Sequence, residues 1–375
     1  MALVYVLRYF PTLTETFVYR EAIEVASRGL PLGCVALGAR ADGAGLTDAP
    51  PWTMVTPQLG GLVGSLTSPA GRAALLKLAE RQGFKRAARA AALLGALGPD
   101  DALHAHFAGE GAEWAQALAA CKGVPYGVTV HAVDLFRPRP TVEDVLRGAA
   151  VVLTVSAHNA EELKRRYGVT ARVVRCGVDP QMWDAARPEG DGPAVSVGRF
   201  VPKKGLDLLI RAVPQVPGLH ARLATDAPAT LASPSVELLG LRPTPEIVAL
   251  YRSASMFVLP CRVAPDGDRD GVPVAMMEAM AAGLPVVTTS LPGLDELVDE
   301  TTAWIVPPDD EQALVEALSD AWRHPEERRR RGRAGRARVV EGFTLAGQAD
   351  GLLRAWAEAG WRPAGRMAPR VSVIR

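Results

Sequence analysis

The chain has 375 residues, of which 48% are hydrophobic and 22% charged, and a formal net charge of +1. That length suits two domains of ordinary size, and that balance excludes a disordered or fibrous chain. Near-neutrality argues against a dedicated nucleic-acid binder, which would carry a basic excess.

The opening MALVYVLRYFPTLTETF has neither the long apolar core nor the small-residue cleavage site of a signal peptide and reads as a first strand over 3–8. Further strands are predicted in the first half at 34–39, 103–107, 127–131, 151–156 and 172–177. In the second half they fall at 194–199, 221–225, 236–239, 256–260, 285–289 and 303–306. Helical segments alternate with these runs, most clearly where AHNAEELKRRYG (157–168) follows VVLTVS (151–156), which is the pattern of a parallel sheet. The polar stretch 179–194, rich in Gly and Pro, separates the two series and places the domain boundary near 186. The expectation is an α/β protein with two Rossmann-like, doubly wound parallel-sheet domains facing a cleft, so that the chemistry sits on strand-to-helix turns. Neither half has a GxGxxG turn after its first strand, which argues against a dinucleotide-binding dehydrogenase. Cys34, Cys121, Cys176 and Cys261 lack metal-ligand spacing and read as reduced thiols of a cytoplasmic protein. No stretch approaches the roughly 20 apolar residues of a spanning helix.

Several constellations carry chemistry. In HAHF, His104 and His106 share one strand face with no third ligand near in sequence, favouring structure or acceptor-side lining over a metal site. VTVHAVDLF ends a strand at His131, with Asp134 three residues on, and a His at that strand end faces the cleft. VGRFVPKKG sets Arg199 and Lys204 across one strand-to-helix turn, where both can address one anion, and Lys203 is a possible substitute. DGVPVAMMEAMAAGLPVVTT (270–289) reads as a turn at Asp270 and Gly271, a helix with Pro273 as its first residue, a stop at Gly283 and a strand. The amides of Gly271, Val272 and Val274, on either side of Pro273, suit a phosphate or a sugar oxygen, and Glu278 lies one and a half turns farther in. The alternative is a packing unit with Met276, Met277 and Met280 in the core. In FPTLTETF the hydroxyls of Thr12 and Thr14 either wrap a phosphate or cap a helix beginning near Glu15. Residues 59–97 mix apolar runs with Lys77, Arg81, Lys85, Arg86 and Arg89, which reads either as a helix resting on an anionic membrane surface or as a core-facing helix with a wet face. The arginine-rich run 326–342, with Glu326 and Glu327, reads as a solvated helix.

The segment 270–289 resembles the donor-binding motif of family 4 retaining glycosyltransferases. The resemblance extends in order through ETFVYRE, HAHF, VTVHAVDLF, VSAHNAEEL, CGVD, VGRFVPKKGLDLLI and VELLGL. It implies a GT-B fold and a retaining, metal-independent hexosyltransferase without a cofactor. The substrates would be a nucleoside-diphosphate sugar and a glycan or lipid-linked acceptor, in polysaccharide assembly of the exopolysaccharide or colanic-acid type. By resemblance, Arg199 and Lys204 hold the diphosphate, His131 and Asp270 contact the donor sugar, Glu278 holds the ribose, and Gly240 and Leu241 wall the nucleobase. Thr14, Glu15 and Asp134 fall near the acceptor or orient a loop. Asp270 stands where the family has Glu, one methylene shorter. The boundary near 186 gives domains of 1–185 and 186–343, and the resemblance adds a helix at about 344–360 crossing back to the first domain. A peripheral position on the inner membrane face is compatible with a lipid-linked acceptor. The rivals are a nucleotide-sugar epimerase on the same fold and a catalytically weak binding partner.

Overall fold

A computed structural model of the chain describes residues 2–10, 15–38, 53–54, 68–188 and 191–362. It divides into one unit comprising the chain up to Val174 and from Ala349 onward, and a second spanning Arg175–Gln348. The first break thus falls before the polar stretch rather than near 186. The reason is that Cys176–Asp179 is already tied into the second unit, where the Val178 amide donates to Phe343 O at 2.9 Å and the Gly177 amide to Gln348 Oε1 at 2.6 Å.

Unit 1 contains β1 (Leu3–Tyr9), β2 (Leu32–Gly38), β3 (Thr53–Met54), β4 (Ala102–His106), β5 (Tyr126–Val130), β6 (Val151–Thr154) and β7 (Arg172–Val173). They form one parallel sheet in the order β3-β2-β1-β4-β5-β6-β7. The two-residue β3 is an addition that sequence periodicity does not show. Its described helices are α1 (Thr16–Ser27), α2 (Pro69–Gln82), α3 (Phe84–Leu93), α4 (Glu110–Lys122), α5 (Ala132–Phe136), α6 (Val142–Gly148) and α7 (Ala157–Tyr167). Local chemistry sets their ends. Ser156 Oγ caps α7 by accepting from the Asn159 amide at 3.2 Å, and Lys164, Arg165 and Arg166 complement the dipole in its last turn.

Alternation along the strands feeds two cores. Val4, Val6, Leu103 and Val128 pack on one face, and Leu3, Tyr5, Leu7 and Leu153 on the other. Several basic side chains of α2 and α3 find partners within the unit: Lys77 and Arg81 pair with Asp144, and Arg86 with Glu110. Leu76 and Phe84 are left exposed, at 65% and 79%.

Unit 2 carries β8 (Ala194–Val197), β9 (Ala221–Ala224), β10 (Val236–Leu238), β11 (Met256–Leu259), β12 (Val286–Thr289) and β13 (Ala303–Val306), parallel in the order β10-β9-β8-β11-β12-β13. Its helices include α8 (Leu206–Ala212), α9 (Thr244–Arg252), α10 (Val274–Ala282), α11 (Glu311–Arg323) and α12 (Pro325–Gly342). The arginine-rich α12 is only partly a solvated helix. Arg329 and Arg330 form surface pairs with Glu326 and Glu327, but Arg328 is 4% exposed and donates to the carbonyls of Ala321 and Trp322. Gly332 and Gly335 face Gly283 and Met280, so this helix packs on α10.

The last described helix, α13 (Leu345–Glu358), carries the chain into unit 1, where Trp356 is fully buried with Leu153, Val174 and Trp361. Trp356→Ala should cost about 3–5 kcal/mol, the range for deleting a buried large aromatic. Chemical denaturation followed through a unit 1 probe checks this, and an unshifted midpoint would mean that the helix is not part of that core.

Candidate active site

In open α/β sheets, ligands bind beyond the carboxyl ends of the strands where the strand order reverses. In unit 2 that point lies between β8 and β11. The turn after β8 holds Arg199, Lys203 and Lys204, and the turn after β11 holds Asp268 and Asp270. Gly205 brings these turns together. It has φ +63°, and a Cβ on it would lie 1.9 Å from the Pro260 carbonyl oxygen, so only glycine fits.

Lys204 Nζ is 2.7 Å from Asp270 Oδ2, while Lys203 Nζ is 3.2 Å from Asp268 Oδ1 and 3.5 Å from Asp270 Oδ1. All four side chains are at most 15% exposed. Burial acts to raise the Asp270 carboxyl, but the charges of Lys204 and Lys203 outweigh it and hold the group below its ordinary range. Burial likewise acts to lower the Lys204 ammonium, and Asp270 reverses this and raises it. The Cys261 thiol donates to Asp270 Oδ2 at 3.7 Å and is pushed up by burial and by that carboxylate, so it serves as a donor rather than a nucleophile. Arg199 is exposed in the same turn, and the Phe200 amide beside it donates to Asp226 Oδ1 at 2.5 Å.

Helix α10 starts one residue later than the sequence predicts. Pro273 is its N-cap, with φ −67° and ψ 125°, because its extended ψ leaves Val274 to open the helix. No side chain caps this end, and Gly271, Val272 and Val274 are only half-buried. The amides there suit an anion. Glu278 is 8% exposed, and Met276, Met277 and Met280 are fully buried, so the segment is both a core unit and a helix start on the site. Beyond β10, Gly240 turns with φ +74° and leaves Leu241 52% exposed.

In unit 1, His131 is the N-cap of α5, and Asp134 Oδ2 accepts from the His131 amide at 2.9 Å. Behind His131 lies a buried polar chain. His106 Nδ1 is 3.4 Å from His131 Nε2, His106 Nε2 is 3.0 Å from Glu21 Oε1, and the Tyr5 hydroxyl donates to the same oxygen at 2.5 Å. His104 Nε2 pairs separately with Thr129 Oγ1 at 2.9 Å. Phe107 has a left-handed φ of +68°, and its ring centroid lies 4.4 Å from that of His131. Such strain in a bulky residue concentrates where a side chain must be aimed.

Burial lowers His131 to about 3, and the charge of His106 adds to the effect, so the imidazole is neutral at physiological pH and offers one donor and one acceptor. Burial raises Asp134 to about 7 against the hydrogen bonds from its backbone partners. Glu15 is the N-cap of α1, whose Phe17 ring is 5.2 Å from that of His131, while Thr12 and Thr14 lie outside the described residues. Sequence reasoning assigned no role to Glu21 or Asp268. The signal for Glu21 is a carboxylate on the apolar stripe of α1, between Val18 and Val25, and both valines are buried.

These shifts set an acid limit on stability. Burial acts to raise Glu21, but His106 and Tyr5 hold it at about 2 in the folded chain, against an ordinary 4.5. Its contribution is therefore complete above 4.5 and lost as the pH falls toward 2. His104 and His131 fall from 6.5 to about 3 on folding, so the unfolded chain takes up protons first and stability declines below 6.5. Glu21→Gln should be less stable at neutral pH by on the order of 3 kcal/mol and show a flatter loss between 4.5 and 2. Denaturation midpoints measured across that range check it, and a slope equal to that of the parent would refute it.

Residues 15–182 match the family described as Glycosyltransferase Family 4, and residues 193–324 match Glycosyl transferases group 1. A putative colanic acid biosynthesis glycosyltransferase of Salmonella typhimurium is 30% identical over 247 residues, which are 59% of this chain and 61% of that one. The chain thus spans about three fifths of the length of that curated relative. Among solved structures, sucrose-phosphate synthase from Thermosynechococcus elongatus superposes with a TM-score of 0.70 at 18% identity, covering 96% of this chain and 99% of that one. Anabaena HepE in complex with UDP-glucose gives 0.70 at 16% identity, with coverages of 96% and 100%. At such identities the likeness establishes the GT-B fold. With both halves matched in order and the fold in common, the chain belongs to the group 1/family 4 glycosyltransferases.

Proposed function

We propose that this chain transfers a hexose-type sugar from a nucleoside-diphosphate sugar to a hydroxyl of a glycan or lipid-linked acceptor in polysaccharide biosynthesis, with retention at the anomeric carbon and without a metal. The observation that carries the reading is the convergence of Arg199, Lys203, Lys204 and the uncapped start of α10 at the β8/β11 reversal. The donor's diphosphate develops negative charge as its bond to the anomeric carbon breaks. Fixed cations and helix amides stabilise that charge in the way a metal would.

In this reading Lys204 turns from Asp270 toward the diphosphate, and Lys203, already 3.5 Å away, keeps the carboxylate compensated. Asp270 then faces the donor sugar with its shorter arm. Glu278 takes the ribose, and the exposed Leu241 packs on the base. The new glycosidic bond forms on the face that the diphosphate leaves, and the acceptor's proton passes to the departing diphosphate oxygen. Neutral His131 supplies a hydrogen bond to the sugar. The similarity to a colanic acid biosynthesis glycosyltransferase supports the polysaccharide setting, and the UDP-glucose bound to the structurally similar Anabaena protein is in keeping with a UDP-type donor. Leu76 and Phe84 are the apolar groups that would meet the membrane surface carrying a lipid-linked acceptor.

A thermal-shift panel of nucleoside diphosphates and nucleotide-sugars should single out one base through ligand stabilisation, and a flat response to all of them would overturn the proposal. With that donor, Arg199→Ala and Lys204→Ala should each lower kcat by about 10²–10³, the cost of losing one preorganised donor to developing charge. Asp270→Glu should change the ratio of kcat/KM between competing donor sugars. An unchanged ratio together with an unchanged rate would remove Asp270 from sugar selection.

A further inference from the structure

Three arginines from separate segments of unit 1 converge on one carboxylate. Arg8, near the end of β1, places Nε 3.3 Å from Glu110 Oε2; Arg86 of α3 places a terminal guanidinium nitrogen 3.1 Å from the same oxygen; and Arg139, in the segment after α5, places one 3.1 Å from Oε1. Glu110 is 8% exposed, whereas the arginines are 55%, 46% and 46% exposed. Each guanidinium has five N–H donors and commits one nitrogen here, so most of its fork is left facing outward.

Charge bookkeeping favours a ligand. Three positive charges share one carboxylate. Glu113, one turn along α4, is occupied by Gln82 Nε2 at 2.6 Å and the Thr141 hydroxyl at 2.6 Å. Asp134 feels the Arg139 charge, but its carboxyl is directed at backbone amides and its pKa is about 7. Glu110 is buried and needs a positive partner, but one arginine suffices to compensate one carboxylate, and holding three long side chains in one place costs rotamer entropy, so compensation alone does not explain the cluster. Its placement does point to a use. Arg8 is the penultimate residue of β1, and Glu110 and Arg139 follow the carboxyl ends of β4 and β5, the end of the sheet that also carries His131. Gly111 keeps the cluster together, since a Cβ on it would lie 2.7 Å from the Val6 carbonyl oxygen of β1.

We infer that Arg8, Arg86 and Arg139 form a phosphoryl-anion subsite for the acceptor, tethered open by Glu110. The inference rests on the transferase reading only for the word acceptor; the anion site stands on its own geometry. A phosphoryl group presents three oxygens to three forks, a match that a single carboxylate does not exhaust.

The test is calorimetric titration of the whole chain with inorganic pyrophosphate at low salt. Measured in a Lys204→Gln background, which disables the diphosphate site proposed in unit 2, the Arg8→Gln, Arg139→Gln double variant should bind roughly tenfold or more weakly, whereas Arg329→Gln, in an exposed pair of α12, should bind as the background does. Glu110→Gln should bind pyrophosphate more tightly than the parent, because it removes the competing carboxylate, and a folding defect would not produce that sign. Vesicles of phosphatidylcholine doped with phosphatidic acid test a lipid-borne phosphoryl group in the same variants. Weakened binding of either probe in the double variant supports the subsite. Undiminished binding of both, or weaker binding by Glu110→Gln, overturns it. Nucleotide-sugar stabilisation of the double variant is scored separately: its absence from the parent as well counts against the transferase reading and leaves the anion site to the pyrophosphate result.

Discussion

Removing an ammonium and a carboxylate from water costs several kcal/mol each, and in unit 2 Lys204 and Asp270 meet that cost through one another and through Lys203. The pair fixes more than two side chains. Lys204 belongs to the turn after β8 and Asp270 to the turn after β11, so their contact sets the distance between the two loops that flank the strand reversal. Gly205 makes that distance attainable, and α10 begins only four residues beyond Asp270. A change in either loop moves the cations and the helix amides together.

Unit 1 places its polar groups by a different device. There a neutral imidazole is held by ring contacts and a buried hydrogen-bonded chain, with the carboxylate of Glu21 at the far end. Tyr5 and His106 both hold Glu21, so its charge is stabilised without reaching the surface. Phe107, in a backbone conformation costly for a bulky residue, covers the ring of His131. One unit thus offers exposed and ion-paired cations, and the other an uncharged hydrogen-bonding group in a dry setting.

Much of this was legible in the sequence because parallel strands and their turns are local patterns. All twelve predicted strands exist, and Arg199, Lys204, Asp270 and His131 fall on strand-to-helix turns. What was not legible depends on contacts between distant residues. Glu21 reads as an ordinary helix glutamate until His106, 85 positions away, is seen against it. The pairing of Lys203 with Asp268 spans 65 positions, and the Glu110 cluster draws on three segments with no common motif. The division of the packing at Val174 was not legible either, because it depends on Gly177 and Val178 being hydrogen-bonded to Gln348 and Phe343, far along the chain. The buried Arg328 shows the converse, an arginine-rich run in which one guanidinium finds carbonyl partners inside.

The burial of Trp356 against β5 and β6 also bears on synthesis. The strands of unit 1 emerge first from a ribosome, but one apolar face of their sheet waits for residues made after the whole of unit 2. Unit 2 is continuous and can fold as soon as it is complete, while the earlier-made unit stays unfinished. A nascent chain whose second half is complete still lacks Trp356 on that sheet face, where Leu3, Tyr5 and Leu153 share their cluster with α1 but not yet with α13.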